Sequence, residues 1–76
     1  VLVVPNKHIP NLAELGADGM DVLGALLWAA REIVAAEGLT QHGYRLVLNA
    51  GVDGGQSVPH LHLHILGGRR FGWPPG

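Results

Sequence analysis

His60-Leu61-His62-Leu63-His64-Ile65-Leu66 alternates histidine with an aliphatic residue at a period of two. That period is the signature of a β-strand, whose successive side chains point to opposite faces. Leu61, Leu63 and Ile65 are then expected to face a core, with His60, His62 and His64 lining the other side. A buried strand would be served by leucine or valine at those positions, and a solvated one by lysine or threonine. A row of titrating imidazoles belongs to a site rather than to a scaffold.

The loop before this strand strengthens that reading. Ala50 to Ser57 holds Gly51, Gly54 and Gly55 among polar residues and reads as a tight connection. Gly54-Gly55-Gln56-Ser57 offers closely spaced backbone N–H groups and a hydroxyl, the makings of an anion-binding nest. Beside a row of histidines, such a nest suggests phosphate.

Working outward, Tyr44 to Asn49 reads as a second strand, and Val1 to Val4 as another, ended by Pro5-Asn6. Asn11 to Leu15 reads as a helical turn broken by Gly16. Asp18 stands where an N-cap belongs, with Asp21 three residues on. A helix from about 19 to 37 follows, and Gly38 is its natural stop. Met20, Leu23, Leu26, Leu27, Ala30, Ile33 and Val34 make one apolar stripe. Val22, Ala25, Ala29 and Ala36 make a second row on the opposite side, with Trp28 near it. A helix apolar on two faces needs covering on both. A symmetric partner subunit would serve, as would residues outside this stretch. After the histidine strand, Gly67-Gly68 ends it, and Arg69 to Gly76 is too rich in Pro and Gly for helix or central strand.

Composition sets the frame. The chain has 76 residues, five Lys/Arg against six Asp/Glu, a net charge of −1 and no cysteine. One small domain over 1–76 is expected. A chain of that size buries only about 60% of its unfolded surface. Disulfides and thiolate metal sites are excluded. Neither a basic patch for nucleic acid nor an apolar run of the ~20 residues that span a membrane is present. No signal-peptide pattern occurs either, so the expected location is the cytoplasm. Val1-Leu2-Val3-Val4 reads as a strand already under way, as in a longer chain whose earlier strands lie outside this stretch.

Histidines in a row invite two chemistries. For metal binding, the outer Cα atoms of a strand over 60–64 lie roughly 13 Å apart, whereas metal–nitrogen bonds are about 2 Å. One ion cannot take all three rings, and a shared site would need His8 or Asp53 as a further ligand. Nucleophilic attack by a neutral imidazole fits better. Such a ring needs its other nitrogen held by an acceptor, and a neighbouring histidine to donate to developing charge.

Gly54 to Arg69 together with Trp73-Pro74-Pro75-Gly76 resembles the histidine-triad (HIT) superfamily, in particular its Hint branch of purine nucleoside phosphoramidases. Val3 to Ile9 and Tyr44 to Asn49 resemble the family's segments on either side of its main helix. The resemblance implies an α+β fold, an antiparallel sheet with one long helix packed on it, here without its N-terminal strands. It implies hydrolysis of the P–N bond of nucleoside 5′-phosphoramidates, of the AMP-amine type, through a nucleotidyl-histidine intermediate and without a cofactor or metal. His62 would be the nucleophile, with the carbonyl of His60 orienting its ring. His64, Asn49 and Ser57 would contact the phosphate, with Ser57 near the leaving amine. Gly55 and Gln56 would line the same pocket through backbone groups. His8 would stand behind the triad, and Trp73 would help select substrates. A homodimer through the helix at 19–37 and the strand at 44–49 is implied too. The family's base- and ribose-holding residues lie on strands this chain does not contain. Pro59 stands where many relatives carry an aromatic residue, and its missing N–H places it at a strand's edge or start. Two other classes stay open at this point: a purine-nucleotide-binding or interaction module without turnover, and a histidine-based metal-binding protein.

Overall fold

A computed structural model describes all residues 1–76. The fold is α+β. Strand β1 (Leu2–Val3) leads to 3-10 turns at Leu12–Glu14 and Ala17–Gly19, then helix α1 (Met20–Ala36), strand β2 (Tyr44–Val47) and strand β3 (Leu63–Gly67). The strands form one antiparallel sheet in the order β1-β3-β2. The last strand in sequence is therefore the central one.

Registry fixes which residues share a face. Leu2 and Val47 both lie opposite His64, while Val3 lies opposite Leu63 and Leu46 opposite Ile65. Helix α1 packs on the face that carries Leu63 and Ile65. Ala30, Val34, Leu63 and Ile65 form one buried cluster, and Ile9, Leu26 and Leu61 form a second under the histidine end. Each fully buried aliphatic side chain of this kind contributes roughly 1.5–3 kcal/mol.

The helix follows its sequence closely at one end only. Its stop is a Schellman motif: Gly38 adopts φ +71°, Leu39 N–H donates to the Val34 carbonyl at 2.9 Å, and Gly38 N–H donates to that of Ala35 at 3.3 Å. Leu39 also packs against the cluster containing Val34. At the start, the expected Asp18 cap is not formed. Asp18 lies inside the 3-10 turn, and Gly19 occupies the cap position without any side-chain bond. Space explains the choice, because a Cβ at Gly19 would lie 2.7 Å from Leu15 Cδ2. Asn11 does cap the earlier turn, accepting from Ala13 N–H at 2.9 Å.

Of the helix's apolar residues, Leu26, Ala30 and Val34 are buried, one turn apart. Met20, Leu27 and Trp28 are 74%, 52% and 60% exposed. Met20 and Leu27 thus leave the stripe expected to pack on the sheet. In the second row Val22 and Ala29 are half-buried while Ala25 and Ala36 are exposed, so the helix keeps apolar surface that the chain does not cover.

Candidate active site

The burial of the histidine stretch alternates as its sequence dictates. Leu61, Leu63 and Ile65 are 1%, 2% and 4% exposed, whereas His60, His62 and His64 are half-buried on the other side. The ladder itself begins later than the alternation does, at Leu63. Both neighbouring strands end there, β1 at Val3 opposite Leu63 and β2 at Val47 opposite His64, and Pro59 turns the chain upstream. His60 N–H donates to the Val58 carbonyl at 2.8 Å, closing a tight three-residue turn around Pro59. Pro59 is thus outside the sheet, where its missing donor costs nothing. Leu61 N–H donates to the Ile9 carbonyl, which fastens the stretch before β3 to the segment after β1.

Three hydrogen bonds set the imidazoles. His62 Nδ1 lies 2.7 Å from the carbonyl oxygen of His60. A carbonyl oxygen only accepts, so Nδ1 carries the proton and donates. In the neutral ring the lone pair is then on Nε2, which makes no hydrogen bond within the chain. The His62 ring meets that of His64 edge-on at 4.9 Å between centroids. His60 Nε2 lies 3.1 Å from the Pro5 carbonyl and donates to it by the same reasoning. Its Nδ1 is 3.1 Å from Nδ1 of His8, and the two rings are tilted 5.2 Å apart. His8 comes from the connector after β1, so four of the chain's five histidines form one connected group.

The preceding loop is organised differently from the nest its glycines suggest. Gly55 N–H donates to the Val52 carbonyl at 3.0 Å, and Gln56 N–H to that of Gly51 at 3.1 Å. The turn uses both donors itself. Gln56 is a clasp: its side-chain oxygen accepts from Gly51 N–H at 3.0 Å, and its amide nitrogen donates to the carbonyls of Pro10 at 2.6 Å and Val58 at 3.1 Å. Gly54 is needed for closeness, since a Cβ there would run into the Ala50 carbonyl oxygen. The Ser57 hydroxyl is exposed and makes no bond within the chain, and Asn49 is half-buried two residues beyond the Val47–His64 pair.

Trp73 lies apart from this group. It is 84% exposed and lines a hollow of about 630 Å³ with Leu66, Phe71 and β2. Asp53 and His42 are also distant in role: no three His, Asp or Glu side chains converge as metal ligands. The family resemblance is what points to His8 behind the triad, whereas nothing in the residues points to the Gln56 clasp, which depends on a partner far along the chain.

The fold recurs in known proteins. The structure superposes on a HIT family hydrolase from Legionella pneumophila with a TM-score of 0.96 and 47% identity, covering 99% of this chain and 67% of that one. A histidine triad protein from Clostridium difficile gives 0.89 and 39%, covering 93% and 62%. Among curated sequences, an uncharacterized HIT-like protein of Synechococcus elongatus is 53% identical over all 76 residues, which span 66% of that protein. The purine nucleoside phosphoramidase of Escherichia coli is 40% identical over 72 residues, 95% of this chain and 60% of that protein. The chain thus spans about two thirds of the length of the curated relatives it matches. The HIT domain model matches residues 1–71, and the chain belongs to that family.

Proposed function

We propose that this chain carries the reacting group of a nucleotide hydrolase that cleaves the P–N bond of nucleoside 5′-phosphoramidates. The observation that carries the reading is the 2.7 Å bond from His62 Nδ1–H to the His60 carbonyl. It leaves the Nε2 lone pair unengaged on a half-buried ring, as nucleophilic attack requires. Nε2 bonds to the α-phosphorus as the P–N bond breaks. The leaving amine, with Ser57 beside it, takes its proton from a solvent water, a proton that the later attack of water on phosphorus returns to solvent. Water then attacks phosphorus, which frees His62 and releases the nucleoside monophosphate. His64, held edge-on to His62, donates to the phosphate oxygens as charge develops there. Asn49 and Ser57 complete the phosphate contacts. Kinship with a purine nucleoside phosphoramidase supports the substrate class.

The active form on this reading is a homodimer. Met20, Leu27 and Trp28 leave an apolar helix face uncovered, and β2 pairs on one side only. A second copy covers both, and brings Trp73 towards the neighbouring histidines to select substrates.

His62→Ala tests the chemistry. Expected is loss of AMP release from an AMP-amine substrate, by at least about 10³-fold, with unchanged circular dichroism; nucleophile knockouts in other hydrolases are of this order or larger. Turnover retained in the folded variant would overturn the reading. Nucleotide binding without turnover by the parent protein would replace it with a binding module.

A further inference from the structure

Three of the chain's five Lys/Arg residues, Arg45, Arg69 and Arg70, gather at the opposite end of β3 from His62. His42 joins them from the connector between α1 and β2. These residues line two adjoining hollows of about 570 and 250 Å³, which share His42, Gly43, Arg69 and Arg70. None of the six acidic residues lines either hollow, and the chain's one ion pair, Arg31–Glu32, lies elsewhere.

Two of the guanidinium groups are held in place without a carboxylate. The Arg45 and Arg69 guanidinium carbons stand 5.0 and 4.3 Å from the centroid of the same ring, that of Phe71. Arg45 also donates to the Gly72 carbonyl at 2.9 Å, and Arg69 to that of Arg70 at 3.2 Å. Gly43 and Gly68, at φ +99° and +90°, form the corners of the hollows and carry no side chain to fill them. A guanidinium preordered on an aromatic platform loses less freedom on binding an anion, and its remaining N–H groups suit bidentate contact with phosphate.

We propose that this pole is a second anion site, distinct from the histidines, and that it takes a diphosphate group. One phosphate would use only part of the two hollows and one or two of the cationic side chains. Two linked phosphates match the paired hollows, the three guanidinium groups and the His42 ring together. The diphosphate is either a free pyrophosphate ion or the tail of a nucleoside diphosphate.

Titration of the ¹⁵N-labelled protein with sodium pyrophosphate, orthophosphate or citrate at matched ionic strength tests the site. Pyrophosphate is expected to shift the amides of Gly43, Gly68, Arg69 and Arg70 saturably, at least about tenfold tighter than the other two anions. A charge-assisted hydrogen bond of about 1.5 kcal/mol corresponds to that factor. ADP shifting the same amides assigns the diphosphate to a nucleotide, and pyrophosphate alone assigns it to the free ion; either supports the site. The double variant Arg69→Gln, Arg70→Gln is expected to weaken binding at least tenfold while leaving turnover at His62 unchanged. Phe71→Leu keeps every charge, removes the platform and is expected to weaken binding severalfold. Shifts confined to His62 and His64, equal affinity for citrate, or a double variant that binds like the parent would overturn the proposal.

Discussion

The Nδ1 atoms of His8 and His60 lie 3.1 Å apart although 52 residues separate them in the chain. Because His60 Nε2–H is committed to the Pro5 carbonyl, neutral His60 has only a lone pair to offer at Nδ1, and His8 supplies the proton between them. The Pro5 carbonyl thereby fixes the tautomer of His60, and His60 in turn fixes that of His8. His8→Ala is expected to lower kcat about fivefold, the worth of one hydrogen bond of about 1 kcal/mol, with the fold retained. Long-range ¹⁵N spectra of the imidazoles check the cause: the Nε2–H form of His60 should dominate in both proteins, while its Nδ1 should lose the hydrogen-bond shift in the variant.

Gln56 ties together Gly51, Pro10 and Val58, three points on two segments. Gln56→Ala removes all three bonds from a partly exposed position, with an expected cost of about 1–3 kcal/mol in urea unfolding. Gln56→Glu keeps the acceptor and loses both donors, so it should be no better. Faster hydrogen exchange at Gly51 in either variant would locate the damage in the loop beneath Ser57.

Leu61 and Leu63 are the inward partners of the histidines, at 1% and 2% exposure. Leu63→Ala is expected to destabilise by about 2–5 kcal/mol. That is a large share of the 5–15 kcal/mol typical of a whole protein, so loss of activity should parallel the unfolded fraction in denaturant titrations. His62→Ala, by contrast, should remove activity with little change in the unfolding midpoint.

Gly38 holds φ +71° in the Schellman stop. Gly38→Ala is expected to cost about 1 kcal/mol, because the added Cβ meets its own backbone at positive φ. Thermal unfolding should register this as a lower midpoint with unchanged kcat, since the stop is far from the histidines.

Trp28 is 60% exposed beside Leu27 and Met20 on the uncovered helix face. Trp28→Glu is expected to shift a homodimer towards monomer in sedimentation velocity. A parent protein that sediments as a monomer at all concentrations would count against the dimeric reading.

Much of this architecture is legible in the residues themselves. The alternation from His60 to Ile65 dictates which side is buried, because strand geometry leaves a period-two pattern no other way to segregate. Gly38 marks the helix end for an equally local reason. Other features depend on partners that sequence does not place. The ladder starts at Leu63 because its partner there, Val3, is the last residue of β1, and Pro59 turns the chain upstream. Asp18 has capping chemistry, yet a 3-10 turn and the crowding of Leu15 against Gly19 hand that position to a glycine. The glycine loop reads as a nest from its composition, but its N–H groups at Gly55 and Gln56 are consumed within the turn.

Strand order has a dynamic consequence. β3 is flanked on both sides, by β1 and by β2, whereas each of those has one neighbour. Fraying begins at margins, where backbone bonds are few and water competes for them. The rib that continues directly from His62 should therefore breathe least, and its amides should exchange most slowly. Chemistry anchored there keeps its aim on the timescales over which the borders of the sheet loosen and re-form.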